Sequence, residues 1–373
     1  MEKRNWYKRD ISTSLLGFGC MRFNTIDGVV DANLAEKLID FAYLNGVNYF
    51  DTAKVYLDGQ SEPILGKALN KFDRKTFYIA TKFSIWNFED IKDVENMIDE
   101  QLKSLQTDYI DFYLLHAMNK DRFKKVKDFK VLELVKKWKN EGKIRNIGFS
   151  FHDDSETFKE IINYYDWDFC QIQFNYMDKN IQQGMDGYRM LVDRKIPIIV
   201  MEPLKGGKLA GFNESVEQTL KKYNQDSMAK WAFRWVASQE GIMTVLSGMN
   251  TMEQLVENIG IYNNFKRLSD EESRLIDIVG NELRDLEVVG CTKCQYCMPC
   301  PYGVNIPQNF TLINEYEMYK NKDGFLWGYK VLEKNSSDFS VCVECQECVS
   351  KCPQFINIPE ELKLVGKLKD NLL

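Results

Sequence analysis

Nowhere in its 373 residues does the sequence hold eighteen consecutive apolar residues, so no membrane-spanning helix is expected. The amino terminus, MEKRNWYKRD, has charge but no apolar run behind it, so no secretory signal is expected either. Charge of one sign is also scarce in excess. The formal balance is −6, which gives no electrostatic reason to expect nucleic acid or a membrane as a partner. After the first apolar run, GFGCMRF has two glycines and then diverges from GxGxxG, so the usual dinucleotide fingerprint is missing. No low-complexity linker separates one part of the chain from another. With no sign of export, the ten cysteines are better read as thiols or metal ligands than as disulfides, and the cytoplasm is the expected compartment.

What is present is ordinary globular material, 44% hydrophobic and 28% charged, in a chain long enough for one large domain and one small one. Short apolar runs recur at Leu15 to Cys20, Val47 to Phe50, Phe77 to Ala80, Ile110 to Leu115, Ile144 to Phe149, Phe169 to Phe174, Ile196 to Met201 and Ile242 to Leu246. Segments of helical period lie between them: Asp31 to Leu44, Ile91 to Leu105, Val131 to Asn140, Ser155 to Tyr164, Met185 to Asp193, Ser227 to Ser238 and Met252 to Ile261. Eight strand candidates in such alternation predict an α/β fold, a (β/α)8 TIM barrel, with a doubly wound sheet as the alternative. The pattern breaks after residue 285, placing the barrel at 1–285 and a small domain at 286–373. Asp270 to Leu286 reads as a last helix outside the barrel.

Chemistry on this fold gathers where the strands end. The second run ends NYFDTAKVY, giving Asp51 and then Tyr56; the third ends FYIATK at Lys82; the fourth ends DFYLLH at His116. Three consecutive strands thus deliver an acid with a tyrosine, a lysine and a histidine to one face. An ammonium beside a tyrosine is expected to lower its pKa from about 10 by favouring the phenolate, with Asp51 holding Lys82 in place. Tyr56 and His116 would then stabilise and protonate a carbonyl oxygen that gains charge on hydride attack.

In these residues the sequence resembles the aldo/keto reductase family. DTAKVYLDGQSE, including Gly59, Ser61 and Glu62, is similar to the family's Asp and Tyr segment, and Lys82 and His116 complete its tetrad in order. The resemblance implies NAD(P)H-dependent carbonyl reduction, or the reverse, with Tyr56 as proton donor. It also implies cofactor contacts. Ser150 and Gln171 would hold the nicotinamide carboxamide. In MEPLKGGKL, Leu204, Gly206 and Lys208 would lie along the pyrophosphate, and Met201 stands where many members stack a tyrosine. In LSGMNTMEQLVEN, Ser247, Gly248 and Met249 would meet the phosphates, with Gln254, Glu257 and Asn258 towards the adenosine. Asn250 occupies the place where NADPH-preferring members often carry a cation, so NADPH preference is not implied. Phe23, Trp86 and Phe151 are candidate apolar walls of the substrate pocket.

Two cysteine boxes close the chain: CTKCQYCMPCP at Cys291, Cys294, Cys297 and Cys300, and CVECQECVSKCP at Cys342, Cys345, Cys348 and Cys352. The second has the CxxCxxCxxxCP spacing of iron–sulfur ligation; zinc is the alternative for paired CxxC units. The tail resembles a dicluster ferredoxin domain, with PYGVNIP and PQFINIP as similar continuations, and LINEYEMYK predicts helix between the boxes. The resemblance implies two 4Fe–4S clusters in a crossed pattern: Cys291, Cys294, Cys297 and Cys352 for one, Cys342, Cys345, Cys348 and Cys300 for the other. The first box has two residues before its last cysteine rather than three. Cys20 and Cys170 read as free buried thiols.

Taken together, these features predict an oxidoreductase acting on a small carbonyl or alcohol with an electron relay attached, whose external partner would be a ferredoxin or flavoprotein. Nothing in the sequence marks a flavin site. A redox-sensing or electron-transfer subunit with little turnover remains the alternative, as do clusters that serve only as structural staples.

Overall fold

A computed structural model describes every residue except Tyr7 to Arg9, Trp86, Asn87 and Glu89, and leaves the side chains of Ile91 and Asp93 undescribed. Trp86, one of the expected pocket walls, therefore lies outside the described residues. By internal contacts the chain forms two compact units, Met1–Lys205 with Lys230–Ser269, and Gly206–Ala229 with Asp270–Leu373.

All eight apolar runs become strands of one closed barrel: β1 (Leu16–Gly19), β2 (Tyr49–Asp51), β3 (Tyr78–Phe83), β4 (Ile110–Met118), β5 (Ile144–Phe151), β6 (Phe169–Gln173), β7 (Ile198–Met201) and β8 (Ile242–Ser247). Every neighbouring pair is parallel, and β8 closes on β1 with Ser247 opposite Phe18. Parallel strands are buried on both faces, which is why these runs read as nearly unbroken apolar stretches.

A core cluster inside the barrel includes Tyr49, Phe112, Leu114, Phe169, Ile199 and Met243, together with Trp6. Trp6 enters from the amino-terminal hairpin, in which Lys3–Asn5 pairs with Ser12–Ser14. Its indole N–H donates to Thr13 Oγ1 at 2.9 Å, and its ring sits 4.7 Å from that of Phe112. The hairpin thus fills the barrel with an aromatic whose one polar atom is satisfied.

In the same unit the helices are α1 (Ala32–Leu44), α2 (Ser61–Leu69), α3 (Met97–Leu105), α4 (Lys120–Asp128), α5 (Val131–Asn140), α6 (Ser155–Tyr164) and α7 (Gly184–Asp193). The segment expected as one helix from Ile91 is instead a 3-10 turn, Ile91–Val94, followed by α3. The helix α4 went unpredicted because KDRFKKVKD offers only Phe123 and Val126 as buried apolar positions. Side-chain caps set the starts: Asp31 accepts from Leu34 N–H and Asp154 from Thr157 N–H.

The first α-helix of the second unit is α8 (Glu214–Tyr223); α9 (Met228–Ala237), from Lys230 on, and α10 (Met252–Asn263) belong to the barrel unit. α11 (Asp270–Asp285) packs against α8, where Thr219 Oγ1 donates to Glu282 at 2.8 Å. α12 (Ile306–Tyr319), α13 (Lys322–Lys334) and α14 (Ile358–Leu372) enclose a small core containing Val304, Phe310, Tyr329, Leu332, Leu362 and Val365. The tail is helical, as its sequence predicts. Among the described residues no helix is long and apolar enough to cross a membrane.

Candidate active site and metal centre

The four residues expected at the strand ends meet. Lys82 is fully buried, with Nζ 2.6 Å from Asp51 Oδ1 and donating to Thr52 O at 2.7 Å. The same ammonium lies 4.9 Å from the centre of the Tyr56 ring, and that ring meets His116 edge-on at 5.8 Å. Tyr56 opens a turn in which Leu57, Asp58 and Gly59 all take left-handed backbone.

Burial sets the ionisation of this group. It raises Asp51, whose Oδ2 is buried without a hydrogen-bond partner, and Lys82 only partly offsets that rise. Burial alone would lower Lys82, but Asp51 and Tyr56 outweigh it and the ammonium is held above the ordinary lysine value. Burial also lifts Tyr56, against the opposing pull of Lys82. This corrects the expectation of a depressed tyrosine: the cation is present, but desolvation of the phenolate is the larger effect. Burial, then Lys82, His152 and Arg122, push His116 well down, so its imidazole is neutral.

A hydrogen-bonded layer supports Lys82. Glu62 accepts from Thr81 Oγ1 at 2.5 Å and from Gln101 Nε2 at 2.8 Å, and Gln101 also reaches the Lys82 carbonyl at 3.2 Å. Ser61 donates to the Cys20 carbonyl at 2.9 Å and meets Thr52 Oγ1 at 2.8 Å. Ser61 and Glu62 are thus anchors of the strand ends. Gln101 escaped sequence reasoning, since a lone glutamine on a helix carries no motif. Cys20 and Cys170 are both buried and free.

The positions expected to hold a nicotinamide carboxamide are neighbours, with Ser150 opposite Gln171 across β5 and β6. Ser150 Oγ accepts from the Ala117 N–H at 2.6 Å, which leaves its hydroxyl hydrogen for another acceptor. Gln171 Nε2 reaches Met201 Sδ at 3.6 Å, whereas its Oε1 is buried without a partner. An orphaned amide acceptor beside a hydroxyl donor suits a primary carboxamide, which offers one acceptor and two hydrogens. The residues present therefore fit the group.

The segment expected to meet the cofactor phosphates is tied by its own hydrogen bonds. Asn258 donates to Ser247 Oγ at 3.1 Å, Gln254 accepts from Asn250 N–H at 3.1 Å, and Thr251 caps α10. Met249 is buried, Gly248 and Glu257 exposed. After β7, Leu204 is half-buried, and Lys205, Gly206 and Gly207 take three successive left-handed conformations. Lys208 is already paired, 2.7 Å from Glu315. Lys205, which has no sequence signature, pairs at 2.6 Å with the buried Asp178. Phe23 and Phe151 are buried.

In the second unit, Cys291, Cys294, Cys297 and Cys352 line one cavity, walled by Ile306, Phe310, Ile356 and Ile358. The last cysteine of the second box thus joins the first three of the first. Cys348 lies in the electrostatic neighbourhood of Cys342, Cys345 and Cys297. Cys300 packs half-buried on the same apolar core. Both boxes wind alike: Lys293 and Gln295 flank Cys294 in left-handed conformation, as Glu344 and Gln346 flank Cys345. The thiols ring a space rather than a point. Four thiols lining one cavity are the donor set that a 4Fe–4S cluster takes.

A closed parallel barrel with a charged lysine, an acid, a tyrosine and a neutral histidine at its strand ends defines an oxidoreductase of the (β/α)8 class. Residues 15–281 match the aldo/keto reductase family and residues 290–357 a 4Fe–4S dicluster domain. The chain belongs to the aldo/keto reductase family. It is 26% identical to an "uncharacterized oxidoreductase", YqkF, of Bacillus subtilis, with 74% of this chain and 95% of that protein covered. It is likewise 26% identical to the NADH-specific methylglyoxal reductase of Escherichia coli, covering 72% and 94%. A solved aldo-keto reductase of Bacillus halodurans shares the fold, with a TM-score of 0.63 at 24% identity, over 75% of this chain and 96% of that one.

Proposed function

We propose that the barrel reduces a small carbonyl compound to an alcohol using a nicotinamide cofactor. The carrying observation is the buried Lys82 ammonium, bound to Asp51 and lying against the Tyr56 ring. When bound, the cofactor supplies a hydride to the substrate carbon. Tyr56 gives its proton to the carbonyl oxygen, and Lys82 stabilises the phenolate left behind. Asp51 keeps Lys82 charged and pointed. Neutral His116 donates a hydrogen bond to the same oxygen. Ser150 and Gln171 hold the carboxamide, so the nicotinamide faces the substrate in one orientation.

Leu204, Gly206, Ser247, Gly248 and Met249 are assigned to the cofactor phosphates, and Gln254, Glu257 and Asn258 to the adenosine side. Lys208 is assigned to the pyrophosphate as the resemblance implies; its ammonium is paired with Glu315. Asn250 is neutral and offers no charge-assisted contact to a 2′-phosphate, and the Escherichia coli relative is named NADH-specific; NADH is therefore accepted at least as well as NADPH. Small dicarbonyls are the substrates to try first, given the names of the methylglyoxal and glyoxal reductases among the relatives.

The tail is assigned two 4Fe–4S clusters, one on Cys291, Cys294, Cys297 and Cys352, the other on Cys342, Cys345, Cys348 and Cys300, which supply one-electron transfer when present. The shared winding of the two boxes supports two equivalent sites. An external one-electron carrier, a ferredoxin or flavoprotein, is the partner this requires. The test is anaerobically reconstituted protein incubated with NADH or NADPH and a carbonyl panel. Turnover in the wild type and its loss in Tyr56→Phe is expected; no turnover of any carbonyl by intact protein would refute the reading.

A further inference from the structure

Ser84 stands just beyond β3, 3% exposed, with its hydroxyl oxygen 2.7 Å from Nδ1 of His116. A neutral imidazole has one N–H and one bare nitrogen, and the hydrogen bond made by one nitrogen decides which the other becomes. A hydroxyl can serve Nδ1 in either sense, so the contact alone does not choose. The reaction does. A carbonyl oxygen gaining negative charge can only accept, so a bare Nε2 facing it would repel it, whereas Nε2–H stabilises it.

The backbone narrows the ring's options further. The β4–β5 register shifts between Leu115 and Met118, so His116 and Ala117 form a bulge. Ala117 there takes left-handed backbone and is tied through its N–H to Ser150 Oγ. Bulges of this kind re-aim a side chain. With the main chain fixed at His116, the Ser84 contact at Nδ1 bears directly on the turn of the ring and the place of its proton.

We propose that Ser84 is a positioning residue that donates its hydroxyl hydrogen to Nδ1 and so holds His116 as the Nε2–H tautomer, the form able to donate to the substrate oxygen. The inference rests on the carbonyl-reductase reading, which selects the sense of the Ser84 hydrogen bond, whereas a spectrum reads the tautomer without turnover. Removing the hydroxyl leaves Nδ1 without this donor in a buried site, so the proton redistributes between the nitrogens and the ring loses its fixed orientation. Reduction slows through the substrate step, and nucleotide affinity is unchanged.

The chain has two histidines, which makes the imidazole nitrogens directly readable. Long-range proton–nitrogen correlation spectra of the 15N-labelled, full-length holoprotein, assigned with His152→Gln, should show His116 protonated on Nε2 and bare on Nδ1. Ser84→Ala should move this pattern towards a mixture and lower kcat by about 10- to 100-fold at an unchanged NADH dissociation constant; Ser84→Thr should restore both. A wild-type spectrum with the proton on Nδ1 would overturn the proposal, as would an unaltered pattern in Ser84→Ala. An altered pattern with undiminished kcat would remove the catalytic part. If the wild type turns over no carbonyl at all, the carbonyl-reductase reading fails while the spectra still decide the tautomer.

Discussion

At the scale of single residues, the site is a case of burial and pairing set against each other. Lys82 and Asp51 are both removed from water, and each is tolerable only beside the other. Lys82→Met strands a buried carboxylate and is expected to lower stability by about 3–5 kcal/mol, read from the urea midpoint. Adding Asp51→Asn should recover part of that loss; if the double variant is as unstable as the sum of the singles, the pair is not the cause. The raised Tyr56 fixes the pH behaviour. A proton donor whose pKa lies above its ordinary value of about 10 stays protonated throughout the neutral range, so reductive kcat should be flat with pH until Tyr56 ionises. Alcohol oxidation needs the phenolate and should accelerate as pH rises. A reductive limb titrating near neutrality would assign the proton to another group. Asp51, Lys82 and His116 were legible because each closes an apolar run, and Tyr56 because it follows Asp51 in the next turn. The net direction of the Tyr56 shift was not, since it depends on how completely the folded barrel excludes water.

At the scale of elements, strand positions read well and supporting contacts did not. Runs of apolar residues of strand length bounded by polar ones leave little choice for a parallel barrel, whereas α2 and α4 have weak periods and emerge only from what they pack against. Gly66 on α2 shows how tight that packing is. A Cβ there would lie 2.5 Å from the Ser104 carbonyl oxygen and 2.6 Å from the Leu105 carbonyl carbon, both backbone atoms that cannot swing away. Gly66→Ala should therefore lower stability by about 1–3 kcal/mol, measured by thermal unfolding. A neutral result would mean that α2 shifts without consequence for Ser61 and Glu62. The pairs Lys205 with Asp178 and Lys208 with Glu315 belong to this scale too: they join residues 27 and 107 positions apart, and no local pattern announces them.

For the whole molecule, the crossed assignment of cysteines makes the sharpest prediction. Cys352 lines the same cavity as Cys291, Cys294 and Cys297, although it lies in the other box. Cys352→Ala and Cys294→Ala should each reduce iron content by about half and perturb the same spectroscopic signal, while Cys345→Ala perturbs the other. If Cys352→Ala instead shares its phenotype with Cys345→Ala, the clusters are not crossed.

The sequence by itself determined the barrel, the polar residues gathered where its strands end and the two cysteine boxes. Those features are written in short-range pattern: apolar runs of strand length, a polar residue closing each, thiols at ligand spacing. Tertiary structure alone decided that Cys352 lines one cavity with Cys291, Cys294 and Cys297, that desolvation outweighs Lys82 at Tyr56, and that Ser84 faces His116. These depend on distances between segments far apart in the chain and on how much water the folded walls exclude, quantities that no local spacing encodes.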